Sequence, residues 1–456
     1  MPSLRFPRIG SGSARFGRPL EVCAVLYLVT AMLAVSPGLA QDARDGSLYS
    51  RFGIGTLQLH AGGQGTGIGH AGFGLHSLQY VNPNNPGAWA DQVLTRISAG
   101  FAYQSLVTSN ENKETSRLAS GHLGGIQLGF PLIERKLGIA LGFAPFSRVS
   151  YNVANEGTLL SGDPVRPDTV GYRVNFFGSG GIQQVTGGLG YRFSPNFSAG
   201  ASLNALFGLI DDGRETIFLE GSSGPLFLDT NLETSTRLNG LSATFGALFS
   251  VQNVFAEEDY ISVGGAFTLP TTLSAKRVTA LGQNLDRDTL GTTISGKIDM
   301  PWQLGLGVAY YPDNRWTVSA GGKFAPWTNL RSTIPLPGYD SGTAQGLSDV
   351  VQFGTGVEFL PAGSDLLAAW PARIAYRFGI SWDRAYISPD RNMNIETTSI
   401  SAGFGLPTLI PGARLDINMQ VGIRGAANAD LVRDVFYRLS MSVNIGERWF
   451  QTPRLR

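Results

Sequence analysis

Val435-Phe436-Tyr437-Arg438-Leu439-Ser440-Met441-Ser442-Val443-Asn444-Ile445-Gly446, near the end of the chain, decides the fold. In an extended strand successive side chains point to opposite faces. Val435, Tyr437, Leu439, Met441, Val443 and Ile445 therefore share one face, and Phe436, Arg438, Ser440, Ser442, Asn444 and Gly446 share the other. One face is apolar and the other mostly polar, and the aromatic pair Trp449-Phe450 follows. Lipid outside, polar contents inside and an interfacial aromatic at the strand end are what a bacterial outer-membrane β-barrel requires.

The same alternation recurs upstream. Leu415, Ile417, Met419, Val421 and Ile423 oppose Asp416, Asn418, Gln420, Gly422 and Arg424, and Ile374, Tyr376, Phe378, Ile380 and Trp382 oppose Ala375, Arg377, Gly379, Ser381 and Asp383. Charges sit on the face opposite the apolar one. Period-two segments bounded by turn residues predict fourteen strands, at roughly 92–107, 115–131, 136–152, 172–193, 196–214, 229–252, 258–276, 289–311, 314–332, 346–361, 371–388, 392–407, 411–425 and 431–450. The fold class is all-β: a transmembrane antiparallel barrel of about fourteen strands with an N-terminal plug. A soluble sandwich or propeller would also alternate, but it does not usually combine long strands with an export signal and a terminal aromatic strand. Pro195-Asn196 and Pro312-Asp313-Asn314 read as short periplasmic turns, and 153–171, 215–228, 277–288 and 333–345 as extracellular loops. Trp302, Trp316, Trp327, Trp370, Tyr310 and Tyr311 fall near strand ends, where rings favour the headgroup level. Each alone fits ordinary packing equally well.

The first forty residues set the compartment. Arg5, Arg8, Arg15 and Arg18 precede an apolar run from about Val22 to Val35, and Gly38-Leu39-Ala40 supplies small residues for signal peptidase. Residues 1–40 are read as a signal peptide, 41–91 as a plug or hatch segment, 92–450 as the barrel and 451–456 as a tail, in the bacterial outer membrane. The single cysteine, Cys23, lies in the leader without a lipobox. The mature chain thus has no disulfide and no Cys-ligated metal. The chain carries 35 Lys+Arg and 34 Asp+Glu; losing Arg5, Arg8, Arg15, Arg18 and Glu21 leaves 31 and 33, a balance that points away from nucleic acid. The mature sequence has no apolar run long enough to span as a helix and no sustained helical periodicity. Spanning segments must then be strands, and a sheet in lipid must close because its edges cannot stay unpaired.

The stretch 41–91 departs from the barrel pattern. Gly62-Gly63-Gln64-Gly65-Thr66-Gly67-Ile68-Gly69-His70-Ala71-Gly72-Phe73-Gly74 lets backbone run close to backbone, as a segment threaded through a crowded lumen must. Gly67-x-Gly69-x-x-Gly72 matches a dinucleotide fingerprint in form only, since no strand-then-helix unit surrounds it. His60, His70 and His76 lie in this segment with spacing too irregular for a metal site, and His122 in a strand has no triad around it. No enzyme activity, metal or cofactor is expected. Arg377, Asp383, Asp416, Arg424 and Arg438 on the polar face suit a network of lumen hydrogen bonds, or a polar path.

Two further stretches carry a family resemblance: Val81-Asn82-Pro83-Asn84-Asn85-Pro86-Gly87-Ala88-Trp89, and Met300-Pro301-Trp302-Gln303-Leu304-Gly305-Leu306-Gly307-Val308-Ala309-Tyr310-Tyr311-Pro312. With the leader, the Gly-rich segment and the strand count, they resemble the long-chain fatty acid transporter (FadL/TodX) family. Asn84 and Gly87 stand where that family's hatch motif has alanine, and six residues follow the terminal aromatic. The resemblance implies passive uptake of hydrophobic small molecules, fatty-acid-like or aromatic, past a hatch at Asn82-Pro83 or Asn85-Pro86. Exit is lateral, beside a kinked third strand, where Pro145 and Phe146 would lie. An apolar solute gains more by entering lipid directly than by crossing water. A proline near a strand end is also commonplace. The implied partners are outer-membrane lipid, a hydrophobic small molecule and the outer-membrane assembly machinery, with the barrel a monomer. Two alternatives remain: a structural or secretion-accessory barrel acting through a protein partner, and a diffusion porin, against which the plug argues.

Overall fold

The computed structural model describes residues 46–448, apart from 161–168, 220–228, 283–287, 340–345, 366, 389–392, 409, 411 and 428–430. The expected leader and tail, with Trp449 and Phe450, lie outside the described residues.

Fourteen antiparallel strands close into one barrel. In chain order they are strand 1, Thr95–Ser109; strand 2, Thr115–Ile133; strand 3, Leu137–Pro145 continued by Ser147–Leu160; strand 4, Thr169–Ser194; strand 5, Phe197–Phe218; strand 6, Thr230–Gln252; and strand 7, Tyr260–Thr268 continued by Thr271–Leu281. Strand 8 follows as Ile294–Met300 and Gln303–Tyr311, then strand 9, Trp316–Ala325; strand 10, Val350–Phe359; strand 11, Ala375–Arg384; strand 12, Glu396–Pro407; strand 13, Arg414–Arg424; and strand 14, Arg433–Glu447. Closure comes from strand 1 pairing with strand 14, from Thr95↔Glu447 to Ser109↔Arg433. No helix among the described residues is long and apolar enough to cross a membrane.

The alternation read from the sequence sets which face is which. On strand 13 Met419, Val421 and Ile423 are exposed on the outer surface, while Asp416, Asn418 and Gln420 are buried within. On strand 11 Tyr376, Phe378 and Ile380 face out, and Arg377 and Ser381 face in. A charge on the lipid face costs about 2–4 kcal/mol at the bilayer midplane, and a one-residue slip would turn every side chain over, so this pattern fixes the register.

Segments 134–136, 195–196, 312–315 and 408–413 connect strands at one end, with the longer 253–259 and 360–374. Connections at the other end include 110–114 and, among the described residues, 290–293, 326–339 and 385–388, and the predominance of short connections identifies the first end as periplasmic. Strand pairing extends into three of the expected extracellular loops, over 153–160, 169–171, 215–218 and 277–281. Residues 147–160, 169–194, 197–218 and 271–281 stay paired well into 153–171, 215–228 and 277–288. Above the membrane both faces can meet water, so a strand there need not alternate, and polar stretches such as Glu215-Thr216 read as loop. Trp327 and Tyr311 also differ from the interfacial set: both are buried, Trp327 against Tyr386 and Tyr311 against Tyr260.

Candidate functional site

Residues 46–91 run along the inside of the wall. At the extracellular end Ser50 Oγ donates to Ser150 O at 2.7 Å, and Tyr49 Oη donates to Val432 O. At the periplasmic end Asp91 accepts from Arg192 and lies 2.8 Å from His76 Nε2. Between these points the segment lies directly on wall glycines. A Cβ at Gly190 or Gly200 would strike the Pro86 carbonyl, at Gly264 the Phe73 carbonyl, and at Gly354, Gly356 or Gly379 the main chain of Ile68 and Gly69. Only a residue without a side chain allows that approach. Glycines on both the segment and the facing strands are thus explained together.

Polar contacts anchor the segment between these points. The fully buried Arg377 donates from Nε to Glu358 Oε2 at 2.5 Å, from Nη1 to Asp416 Oδ1 at 2.6 Å and from Nη2 to Tyr80 Oη at 2.8 Å. Gln64 Nε2 donates to Glu358 Oε1 at 2.9 Å, and Asn418 Nδ2 to Gly63 O at 2.9 Å. The three wall charges thus each gain a partner from the segment, Arg377 and Asp416 the Tyr80 hydroxyl and Glu358 the Gln64 amide.

The Asn-Pro pairs form the tight turns of the segment. Asn82 Nδ2 donates to Gly72 O at 2.8 Å and to Leu75 O at 3.1 Å, while its carbonyl accepts Trp89 Nε1 at 2.7 Å. Asn85 is completely buried, and its Nδ2 bridges Phe73 O and Ala247 O, each at 2.9 Å. Its Oδ1 accepts Gly87 N at 2.9 Å at the start of a 3₁₀ turn, Pro86–Asp91. Both asparagines hold backbone to backbone. Pro83 and Pro86, by contrast, line a cavity of about 280 Å³ whose wall also includes Pro145 and Phe146.

Pro145 stands where strand 3 is interrupted. Strand 2 pairs with strand 3 only from Ile126↔Phe143 to Ile133↔Leu137. Beyond the break, residues 147–160 pair with strand 4 and with Thr56–Leu57, and 115–125 pair with strand 1. No ladder joins 115–125 to 147–160, so the wall has a seam in its extracellular half. Part of that edge is covered from inside: Thr56↔Arg148 and Leu57↔Ser147 pair antiparallel, Gln58 N donates to Phe146 O at 2.9 Å, and Ser147 Oγ donates to Ile54 O at 2.7 Å. The piece bonded to the interruption is thus Ile54–Gln58, and the Asn85-Pro86-Gly87 turn packs instead against strands 4 to 7.

The cavity is amphipathic. Ile126, Leu141, Phe143, Pro145 and Phe146 line it towards the break, whereas Lys323, Asp383, Arg424 and Arg438 contribute charge from other strands. Beneath the extracellular loops Tyr49 and Ile54 join Tyr151, Ile182, Leu238 and Trp327 in one packed apolar cluster. Of the residues singled out from sequence, Arg377 and Asp416 meet in the anchoring network, while Asp383, Arg424 and Arg438 line the cavity. The Ile54–Gln58 strap carries no sequence signal, because its two-residue pairing shows no period.

A family model described as BamG matches residues 23–455. No curated protein matches the chain. Among solved structures, a Pseudomonas aeruginosa FadL homologue is similar at 14% identity with TM-score 0.52, over 86% of this chain and 99% of that one. The Ralstonia pickettii toluene transporter TbuX is similar at 13% identity with TM-score 0.51, over 86% and 100%. The Pseudomonas putida toluene transporter TodX gives 13% identity and TM-score 0.50, over 85% and 98%. At such identity the likeness is one of fold: the chain has the barrel fold of the FadL type.

Proposed function

The chain belongs to the BamG family, and we propose that this member passes hydrophobic small molecules through the outer membrane, with residues 41–91 as a hatch and the seam beside Pro145 as a lateral exit. The observation that carries this reading is the cavity of about 280 Å³ that reaches Pro145 and Phe146, where the strand 2 to strand 3 ladder stops. Flow along the axis is opposed by main chain of the segment lying on inward glycines from strand to strand. An apolar solute in the cavity lowers its free energy by about 25 cal/mol per Å² of surface removed from water, and the acyl region beyond the seam offers that directly. The hydrocarbon channels of the same fold support the substrate class. The barrel acts as a monomer in lipid, inserted by the assembly machinery, and needs no catalytic group.

The test is a reversible staple. Because Gln58 N bonds Phe146 O, the next pair, Leu57↔Ser147, is a non-hydrogen-bonded pair, whose Cα atoms come close enough for a disulfide. The cleaved chain has no other cysteine. Oxidised Leu57→Cys/Ser147→Cys barrel in liposomes should take up toluene or a long-chain fatty acid at least tenfold more slowly than the reduced form. Equal rates in both states rule out exit past the strap.

One observation favours a second reading, a barrel acting through a protein partner. The apolar cluster under the extracellular loops is filled by its own side chains, where a capture groove would have to lie. Absence of uptake by the parent barrel, together with one stoichiometric outer-membrane partner on native gels, would move the assignment there.

A further inference from the structure

Three histidines from distant parts of the sequence meet beside the seam. His60 and His70 of the N-terminal segment and His122 of strand 2 line one cavity of about 80 Å³, together with Gln58, Pro145 and Arg438. His60 Nε2 and both ring nitrogens of His70 are buried without a hydrogen-bond partner. Arg148, on the far side of the seam, reaches back across it. Its Nη1 lies 3.0 Å from His122 Nδ1 and 3.4 Å from Ser120 Oγ. A guanidinium only donates, so Nδ1 must accept and His122 is neutral in this state.

The charges around the cluster are lopsided. Arg148 and Arg438 are cationic, and no carboxylate lines the small cavity. Arg438 donates to the amide oxygens of Gln104 and Gln420, which bring no negative charge. The adjoining larger cavity adds Lys323, Arg384, Arg424 and a single carboxylate, Asp383. A proton on any of the three rings thus enters an already positive, poorly hydrated space. On His122 it also replaces the acceptor that Arg148 uses.

We propose that the seam carries a proton-released latch: protonation of His60, His70 and His122 breaks the Arg148–His122 bridge and drives residues 56–61 off strand 3, widening the gap between strands 2 and 3. This deepens the lateral-exit reading and rests on it for its purpose, though not for its test. The sign follows from the depressed basicity of the segment's rings. Burial, then Arg438 and His60, pushes His70 down to about 4, and burial pushes His60 down as well. A released imidazole titrates near 6.5. The latched state is therefore fully favoured above about pH 6.5 and loses ground as pH falls from there towards 4. At pH 5 one such ring shifts the equilibrium about 30-fold towards release.

Nitroxides on the exposed Ser116 of strand 2 and Asn155 of strand 3 would report the seam width by pulsed electron spin resonance, in the complete mature barrel without substrate. Between pH 7.5 and pH 5.0 a second, longer distance should appear. The triple His60→Gln/His70→Gln/His122→Gln variant should lose that response. Arg148→Gln, which leaves all three rings in place, should already show the longer distance at pH 7.5. An unchanged distribution in the parent, or a pH response that survives in the folded triple variant, overturns the proposal. If the triple variant does not fold, Arg148→Gln decides: the parental distance at pH 7.5 overturns it too. Because no solute is involved, a barrel that moves the seam but transports nothing separates failure of the transport reading from failure of the latch.

Discussion

Replacing Arg377 with Met removes the hub that ties the N-terminal segment to the wall. Its side chain is fully buried between Asp416, also fully buried, and Glu358, 12% exposed. Breaking a buried ion pair on one side leaves an uncompensated charge and costs about 3–5 kcal/mol. Here two carboxylates lose their cation, and the Tyr80 hydroxyl loses one of its two partners in the network. The wall strands keep their ladders, so the cost falls mainly on docking of the segment. At 1.4 kcal/mol per tenfold, that is roughly a hundredfold to a few thousandfold in the docked-to-undocked ratio. The assay pairs planar-bilayer conductance with heat-modifiable gel mobility, which reads barrel integrity separately. Open events should rise while the folded gel form persists. Arg377→Lys should not rescue, because one ammonium cannot reproduce a planar fork shared among Glu358, Asp416 and Tyr80. Arg377→Met/Asp416→Leu should recover part of the loss by removing the stranded charge. Quiet bilayers and an unchanged gel transition for Arg377→Met would refute the view that this network holds the segment in place.

Two further outcomes bear on the same architecture. Deleting residues 49–89 should raise single-channel conductance by at least an order of magnitude in a barrel that still folds, and unchanged conductance would count against a plug. Pro145→Val supplies the main-chain donor that proline lacks and favours an unbroken third strand; uptake of a long-chain fatty acid or aromatic hydrocarbon should fall severalfold with heat-modifiable mobility intact, whereas equal uptake would reject a gate at this position.

The wall was legible because lipid imposes one rule on every strand crossing it. The Leu415 to Ile423 alternation needed no knowledge of neighbours, since the membrane is the neighbour for one face and the lumen for the other. That rule lapses above the bilayer, so the strand character of 153–160 and 215–218 stayed hidden behind polar composition. The interior was less legible because its determinants are mutual. Gly190 and Gly200 make sense only once the Pro86 carbonyl is seen against them, and Gly356 only against Ile68.

The break at Pro145 shows how the local and the mutual combine. A single chain reads proline as a missing donor, which marks an edge, a bulge or a harmless strand end with equal force. What distinguishes them is where the surrounding backbone bonds go, because unpaired groups are costly at membrane depth. Here the edge at 146–150 is met by residues nearly a hundred positions upstream, through Gln58, Thr56 and Ser50. A harmless strand end would rejoin strand 2 within a residue or two, but 115–125 never pair across to 147–160. The interruption is therefore closed by an inner strap and not by the barrel's own ladder, and on the proposed exit route an opening would cost the few bonds of that strap and the Arg148 bridge to His122 and Ser120.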